Sequence, residues 1–140
     1  MKTLKRLSLL IISLSLFACS AQTTTNSAVI EPQSLQNTWQ LTSIDGQAIN
    51  SAIDSTLSMD SEHKATGKLA CNNFFGTVVL NDSHLKIEKM GSTRMFCEEQ
   101  ANKIEMIVSQ VLNDGAEMQL TEDKLSLAGK EHTLTYTLKK

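Results

Sequence analysis

The chain has 140 residues, 41% of them hydrophobic, with 13 Lys and Arg against 15 Asp and Glu and a formal charge of −2. That length and apolar content fit one globular domain rather than several. A near-neutral, slightly acidic balance with no basic cluster in the body of the chain speaks against nucleic acid or an anionic bilayer face as the partner.

The first segment reads as a leader. Lys2, Lys5 and Arg6 precede an apolar stretch from Leu7 to Ala18, which is the arrangement of a secretory signal peptide over residues 1–18. A membrane-spanning helix needs about 20 apolar residues, so this stretch stops too soon to be an anchor helix. Cys19 follows Leu16-Phe17-Ala18, and the run resembles a bacterial lipobox, in which the thiol receives a diacylglyceryl group and the new amino terminus is acylated. The plain alternative is a secretory signal in which Cys19 is incidental. Two or more acyl chains anchor stably, whereas one binds only marginally. Ser20 stands where an aspartate would signal inner-membrane retention, so the resemblance implies the outer membrane, lipid-anchored, on the periplasmic face.

Loss of the leader removes three bases and no acid, leaving 10 Lys and Arg against 15 Asp and Glu, a formal charge of −5. Residues 19–34 are rich in Thr, Ser, Ala and Gln and lack apolar periodicity. They read as a lipidated, flexible tether. The folded part is expected over 35–140.

Within it, Trp39, Leu41 and Ser43 alternate with polar neighbours before Asp45-Gly46, a strand followed by a turn. Short alternating runs follow at 56–60, 67–71, 77–80 and 85–88, with Asn81-Asp82-Ser83 as turn chemistry between the last two. The end of the chain alternates again at 118–120, 125–127 and 134–138, predicting a three-strand antiparallel meander. Between these groups, Ala101, Ile104, Ile107, Val108, Val111 and Leu112 fall on one face of a helix over 98–113. Glu98 and Glu99 suit its start and Gly115 its end. The fold class is therefore α+β: a small mixed or antiparallel, barrel-like sheet of about eight short strands with one amphipathic helix. With no second helix available, the sheet must cover the helix stripe. The helix is expected to plug or flank a curved, incomplete barrel.

Two runs, Ala70-Cys71-Asn72-Asn73-Phe74-Phe75-Gly76 and Ser92-Thr93-Arg94-Met95-Phe96-Cys97, resemble the signature motifs of the META domain family, found in heat-shock-associated bacterial lipoproteins of the HslJ type. The resemblance spans Leu35 to Leu138 and includes the lipobox. It implies a mixed, barrel-like sheet with one helix, similar also to pilotin lipoproteins, and brings no established reaction with it. Ala70 departs from the pattern, which often has glycine there.

With Cys19 committed to lipid, Cys71 and Cys97 remain for an oxidising compartment. A disulfide between them would close a loop worth about 3.5 kcal/mol. Buried free thiols are the rival, and a redox-active pair lacks the Cys-x-x-Cys spacing. Asn72 and Asn73 could bond a ligand or satisfy turn backbone. One of Phe74 and Phe75 should enter the core while the other covers an edge or faces a partner. Gly76 fits a bulge or bend. Arg94 could bind a carboxylate or lipid phosphate, or form a structural ion pair. Met95 and Met106 suit adaptable packing or a contact surface.

Catalysis finds little support. His63, His84 and His132 are dispersed, and no nucleophile, zinc or phosphate-loop motif accompanies them. The reading is a non-catalytic envelope module without cofactor, metal or nucleic acid. Its partners would be the membrane through Cys19 and an envelope protein or lipid, with Asn72, Phe75, Arg94 and Met95 as candidate binding residues. It would support envelope integrity and stress or antibiotic tolerance in a chaperone- or pilotin-like way. The alternative is a small envelope redox protein or hydrolase using Cys71 and Cys97 or Arg94.

Overall fold

The computed structural model describes residues 32–140; the signal peptide, Cys19 and most of the tether lie outside the described residues. The first turn, a 3-10 helix at Pro32–Leu35, begins three residues before the expected start of the folded part. Leu35 is buried, and its carbonyl accepts the Trp39 indole N–H at 3.3 Å. That bond explains the early start, because a buried indole N–H needs a partner.

Nine strands and one helix follow. They are β1 Thr38–Ile44, β2 Gln47–Ala48, β3 Thr56–Met59, β4 Lys64–Lys68, β5 Asn73–Asn81, β6 His84–Ser92, α1 Glu99–Asp114, β7 Ala116–Leu120, β8 Lys124–Ala128 and β9 Thr133–Leu138. The α+β class stands, with one strand more than expected and every pairing antiparallel. Neighbours in sequence are neighbours in the sheet from β3 to β9, and β1 pairs both β3 and β9. The sheet is therefore a ring of eight strands, with the short β2 continuing along the β3 side of β1.

Period-two burial drives this closure. Trp39, Leu41, Leu57, Leu85, Ile87, Leu125, Leu127, Leu134 and Tyr136 are all almost fully buried and point into the ring. Outward positions such as Gln40, Lys86 and Ser126 are partly exposed. The β1–β2 turn has Asp45 at φ 52° and Gly46 at φ 76°, the paired positive φ of a type I′ hairpin.

Two elements differ from expectation. The strand expected at 67–71 lies at Lys64–Lys68, and residues 69–72 form a tight turn closed by the Leu69 N–H on the Asn72 carbonyl at 2.8 Å. The bend expected at Gly76 is present as a register shift, in which Gly76 alone faces Lys89 and Met90. The additional residue lies on β6, where Lys89 takes φ 52°.

The helix closes the weakest seam of the ring. β6 meets β7 through only His84↔Glu117 and Leu85↔Ala116, and α1 connects the two strands across this gap. Ile104, Val108, Val111 and Leu112 are its buried face and join the ring's core cluster. Glu98 is extended and makes no side-chain cap bond, so the helix starts one residue later than its charge pattern suggests. Gly115, at φ 92°, ends it with its N–H on the Val111 carbonyl.

The ring has two distinguishable ends. At the entry end lie Pro32–Leu35, the β3–β4 turn and the β5–β6 turn, because Thr38 pairs with Ser58 and Asn81 with His84. The β4–β5 turn and the segment leaving β6 mark the opposite, distal end.

Candidate functional site

Both sequence motifs meet at the distal end. The first occupies the β4–β5 turn, and the second leaves β6 and runs beside it towards α1. Phe74 pairs with Ser92, and the Thr93 N–H donates to the Asn73 carbonyl at 3.0 Å. Sheet pairing thus carries the second motif alongside the first.

Asn72 is the centre of the arrangement, and it is only 4% exposed. Its Oδ1 accepts the Thr93 hydroxyl at 2.9 Å and the Met95 N–H at 2.6 Å. Its Nδ2 donates to Glu105 Oε1 at 2.8 Å and faces Cys97 Sγ at 3.7 Å. The other Glu105 oxygen accepts the Asn72 N–H at 2.9 Å and the Cys71 N–H at 3.4 Å. One amide and one carboxylate therefore join the turn, the second motif and the middle of α1. Hydrogen bonds to a carboxylate are among the stronger kind.

Cys71 and Cys97 are joined in a disulfide across the same junction, with Cα atoms 6.1 Å apart. Beyond it, Asn102 Nδ2 donates to the Cys97 carbonyl at 3.0 Å, tying the bridge to the first turn of α1.

The candidate binding residues divide by exposure. Asn72 is not available to a ligand, since its donors and acceptors are spent inside the fold. Phe74 is buried, while Phe75 lies outside the sheet with its ring over Gly91. A Cβ at Gly91 would come within 2.6 Å of that ring, so the glycine makes room for it. Arg94 is exposed and makes no ion pair among the described residues. Met95 and Met106 are exposed, and so is Phe96, whose whole side chain faces solvent.

The sequence reading missed Thr93, Phe96 and Glu105. Glu105 had a signal: it sits four residues after Ala101 and three before Val108, an acid breaking into the apolar stripe of α1. Phe96 had none, because its neighbours Met95 and Cys97 alternate in a manner equally consistent with burial.

A surface groove of about 380 Å³ adjoins this junction, lined by Ile53, Lys68, Ala70, Met95, Cys97 and Ala101 among others. A smaller hollow of about 170 Å³ lies at the entry end between Leu35, Met59, His63 and Leu80. Elsewhere, His132 Nδ1 and Asp45 Oδ2 are 2.7 Å apart, and Asp45 Oδ1 accepts the Thr133 N–H at 2.8 Å. These bonds hold the Asp45 carboxyl below its ordinary value, the His132 hydrogen bond first. The pair pins the β1–β2 turn to the start of β9. Among the described residues, no three His, Cys, Asp or Glu side chains converge as a metal site, and no helix is long and apolar enough to cross a membrane.

Comparison with known proteins agrees with this geometry. The sequence profile of the META domain matches residues 33–140. The chain is 30% identical over 129 residues to the heat shock protein HslJ of Escherichia coli K12, covering 91% of each chain. A protein solved by NMR is 30% identical, with a TM-score of 0.69 over 78% of this chain and 95% of that one. An NMR structure from Burkholderia xenovorans, 24% identical, has the same fold with a TM-score of 0.66 over 97% and 98% of the two chains. A crystal structure of a DUF4847 family protein from Bacteroides vulgatus, 14% identical, shares the fold at a TM-score of 0.56 over 76% and 94%.

Proposed function

The chain belongs to the META domain family, and from that premise we propose that it is a non-catalytic binding module. In this reading it is lipidated at Cys19 and held at the outer membrane, facing the periplasm. There it would support envelope integrity under stress, antibiotic stress included, by binding an envelope protein or lipid. Its relative's name, heat shock protein, agrees with a stress role.

One observation carries the binding part of this reading. The two motifs spend their polar groups on one another, and the side chains they leave outside are apolar ones, Phe75, Met95 and Phe96. Exposed apolar side chains gathered at one place characterise contact surfaces.

The test is photocrosslinking in intact cells from a probe at position 96, beside a Cys19→Ser control and metabolic labelling with an alkyne fatty acid. The expected result is label on the wild-type chain only, and a crosslinked envelope component that the control loses. An unlabelled wild-type chain would sink the anchoring, and an empty crosslink would sink the binding.

The redox alternative draws on the Cys71–Cys97 bridge bordering the groove. Thiol trapping in growing cells separates it: a structural bridge stays oxidised under mild reductant, whereas a working redox pair is found partly reduced.

A further inference from the structure

The opening expected for a ligand, beside the helix and into the ring, is filled. Trp39, Leu41, Leu57, Ile87, Leu125 and Tyr136 are each at most 2% exposed and form one core cluster. Interiors of this kind are close-packed, so a ligand must sit outside the ring.

The exterior is uneven. Among the described residues, the large exposed apolar side chains are Phe75, Met95, Phe96 and Met106. Each lies within three residues of a member of the Asn72 cluster. The groove of about 380 Å³ adjoins them, with apolar walls at Ile53, Ala70, Met95 and Ala101 and with Lys68 and Glu98 on its borders. Neither Lys68 nor Arg94 makes an ion pair among the described residues. Two uncommitted cations therefore flank an apolar groove in a domain whose charge is otherwise acidic.

We propose that this groove docks an extended peptide segment of an envelope protein. An apolar side chain would seat between Met95 and Ala101, and a carboxylate would be drawn to Lys68. The proposal rests on the reading of the domain as a binding module and names its site and partner class. A peptide fits better than a bilayer because the folded chain enters at Pro32, at the entry end. The 13 residues from Cys19 to Pro32 span at most about 45 Å when extended, so an anchor there presents the distal end away from the membrane. An acyl chain would need an enclosed apolar sleeve, and the ring interior that could supply one is full.

The experiment titrates the full-length protein in phosphatidylcholine nanodiscs with a fluorescein-labelled hexapeptide, Gly-Ser-Ser-Leu-Phe-Asp with a free carboxyl end. A neutral twin, with Asn for Asp and an amidated end, is run in parallel. Saturable binding of the acidic peptide is expected. It should weaken about tenfold or more in Met95→Ser/Phe96→Ser and about fivefold in Lys68→Gln, the scale of one partly exposed ion pair. Glu98→Gln should tighten it, and the neutral twin should ignore Lys68→Gln. Circular dichroism checks that the variants keep the fold. Absence of saturable binding, indifference to Lys68→Gln, or displacement of the peptide by palmitate would each overturn the proposal. Soluble Cys19→Ser protein should bind the peptide equally well, so a failure of anchoring and a failure of docking give different results.

Discussion

Inside the ring, Tyr136 buries a hydroxyl that finds no partner, whereas at the distal end Asn72 is also buried and uses both faces of its amide. The interior needs only apolar side chains at every second position, and shape does the rest. The distal end joins three segments with no regular pairing between them, the turn 69–72, the segment after β6 and the middle of α1. Directional bonds and one covalent bridge do there what area burial does elsewhere. The difference teaches that the motifs act first as a joint, and that their surface role falls to the side chains the joint leaves outside.

The comparison predicts a ranking of effects. Replacing Cys71 and Cys97 by serine should cost most, about 3.5 kcal/mol for a bridge spanning 26 residues in sequence. In a domain of this size that lowers Tm by roughly 20 °C, read by thermal melting with and without reductant. A loss under 1 kcal/mol would mean the hydrogen bonds alone make the joint. Asn72→Ala should cost nearly as much, about 3 kcal/mol in urea unfolding, because Thr93, Met95 and Glu105 all lose a partner. If Asn72→Ala proved as mild as an exposed substitution, the distal end would be no different from an ordinary loop.

On the interior side, Gly67→Ala should cost about 2 kcal/mol through overpacking. A Cβ there would lie 2.0 Å from the Thr56 carbonyl oxygen and 3.0 Å from the Phe74 ring. Tyr136→Phe sharpens the contrast most directly. Burial pushes the phenol pKa up, and deleting an unsatisfied hydroxyl should leave stability unchanged or raise it by up to about 1 kcal/mol. A clear loss would show that the hydroxyl is hydrogen-bonded in solution.

The smallest effect concerns the exposed Asp45–His132 pair. The Asp45 carboxyl is depressed below its model value of 3.8 in the folded state, so its contribution is present above that value. It is lost as pH falls through the lower folded value. Urea midpoints measured from pH 5 to pH 2.5 should fall slightly less steeply in Asp45→Asn than in the parent chain.

Much of this was legible in the sequence, in proportion to how local the cause is. The alternation of Trp39, Leu41 and Ile44, of Leu125 and Leu127, and of Leu134 and Tyr136 marks strands because burial on one face imposes a period of two. The helix was legible from Ile104, Val108, Val111 and Leu112. The β4 boundary was misplaced because Ala65, Gly67 and Leu69 continue one buried face past Lys68. What turns the chain at 69–72 is a set of bonds to Asn72 from residues at least 21 positions away. Nothing local announces it. At the site, the cysteines were visible as a pair and Arg94 and Met95 as exposed candidates, but Asn72 reads as a ligand-facing amide until Glu105 is seen opposite it.

The seam between β1 and β9 has a consequence for how the molecule comes into being. Trp39 pairs with Leu138, so the first strand waits for the last. Contacts so distant in sequence slow folding, because the entropy of closing the loop is lost before the pairing repays it. During synthesis or translocation, β1 has one edge unmatched until the final residues arrive. A chain cut short before Thr133 would keep two open strand edges, on β1 and β8, each a template for pairing with another copy. The domain thus carries its own proofreading of length: only the complete chain can hide both edges.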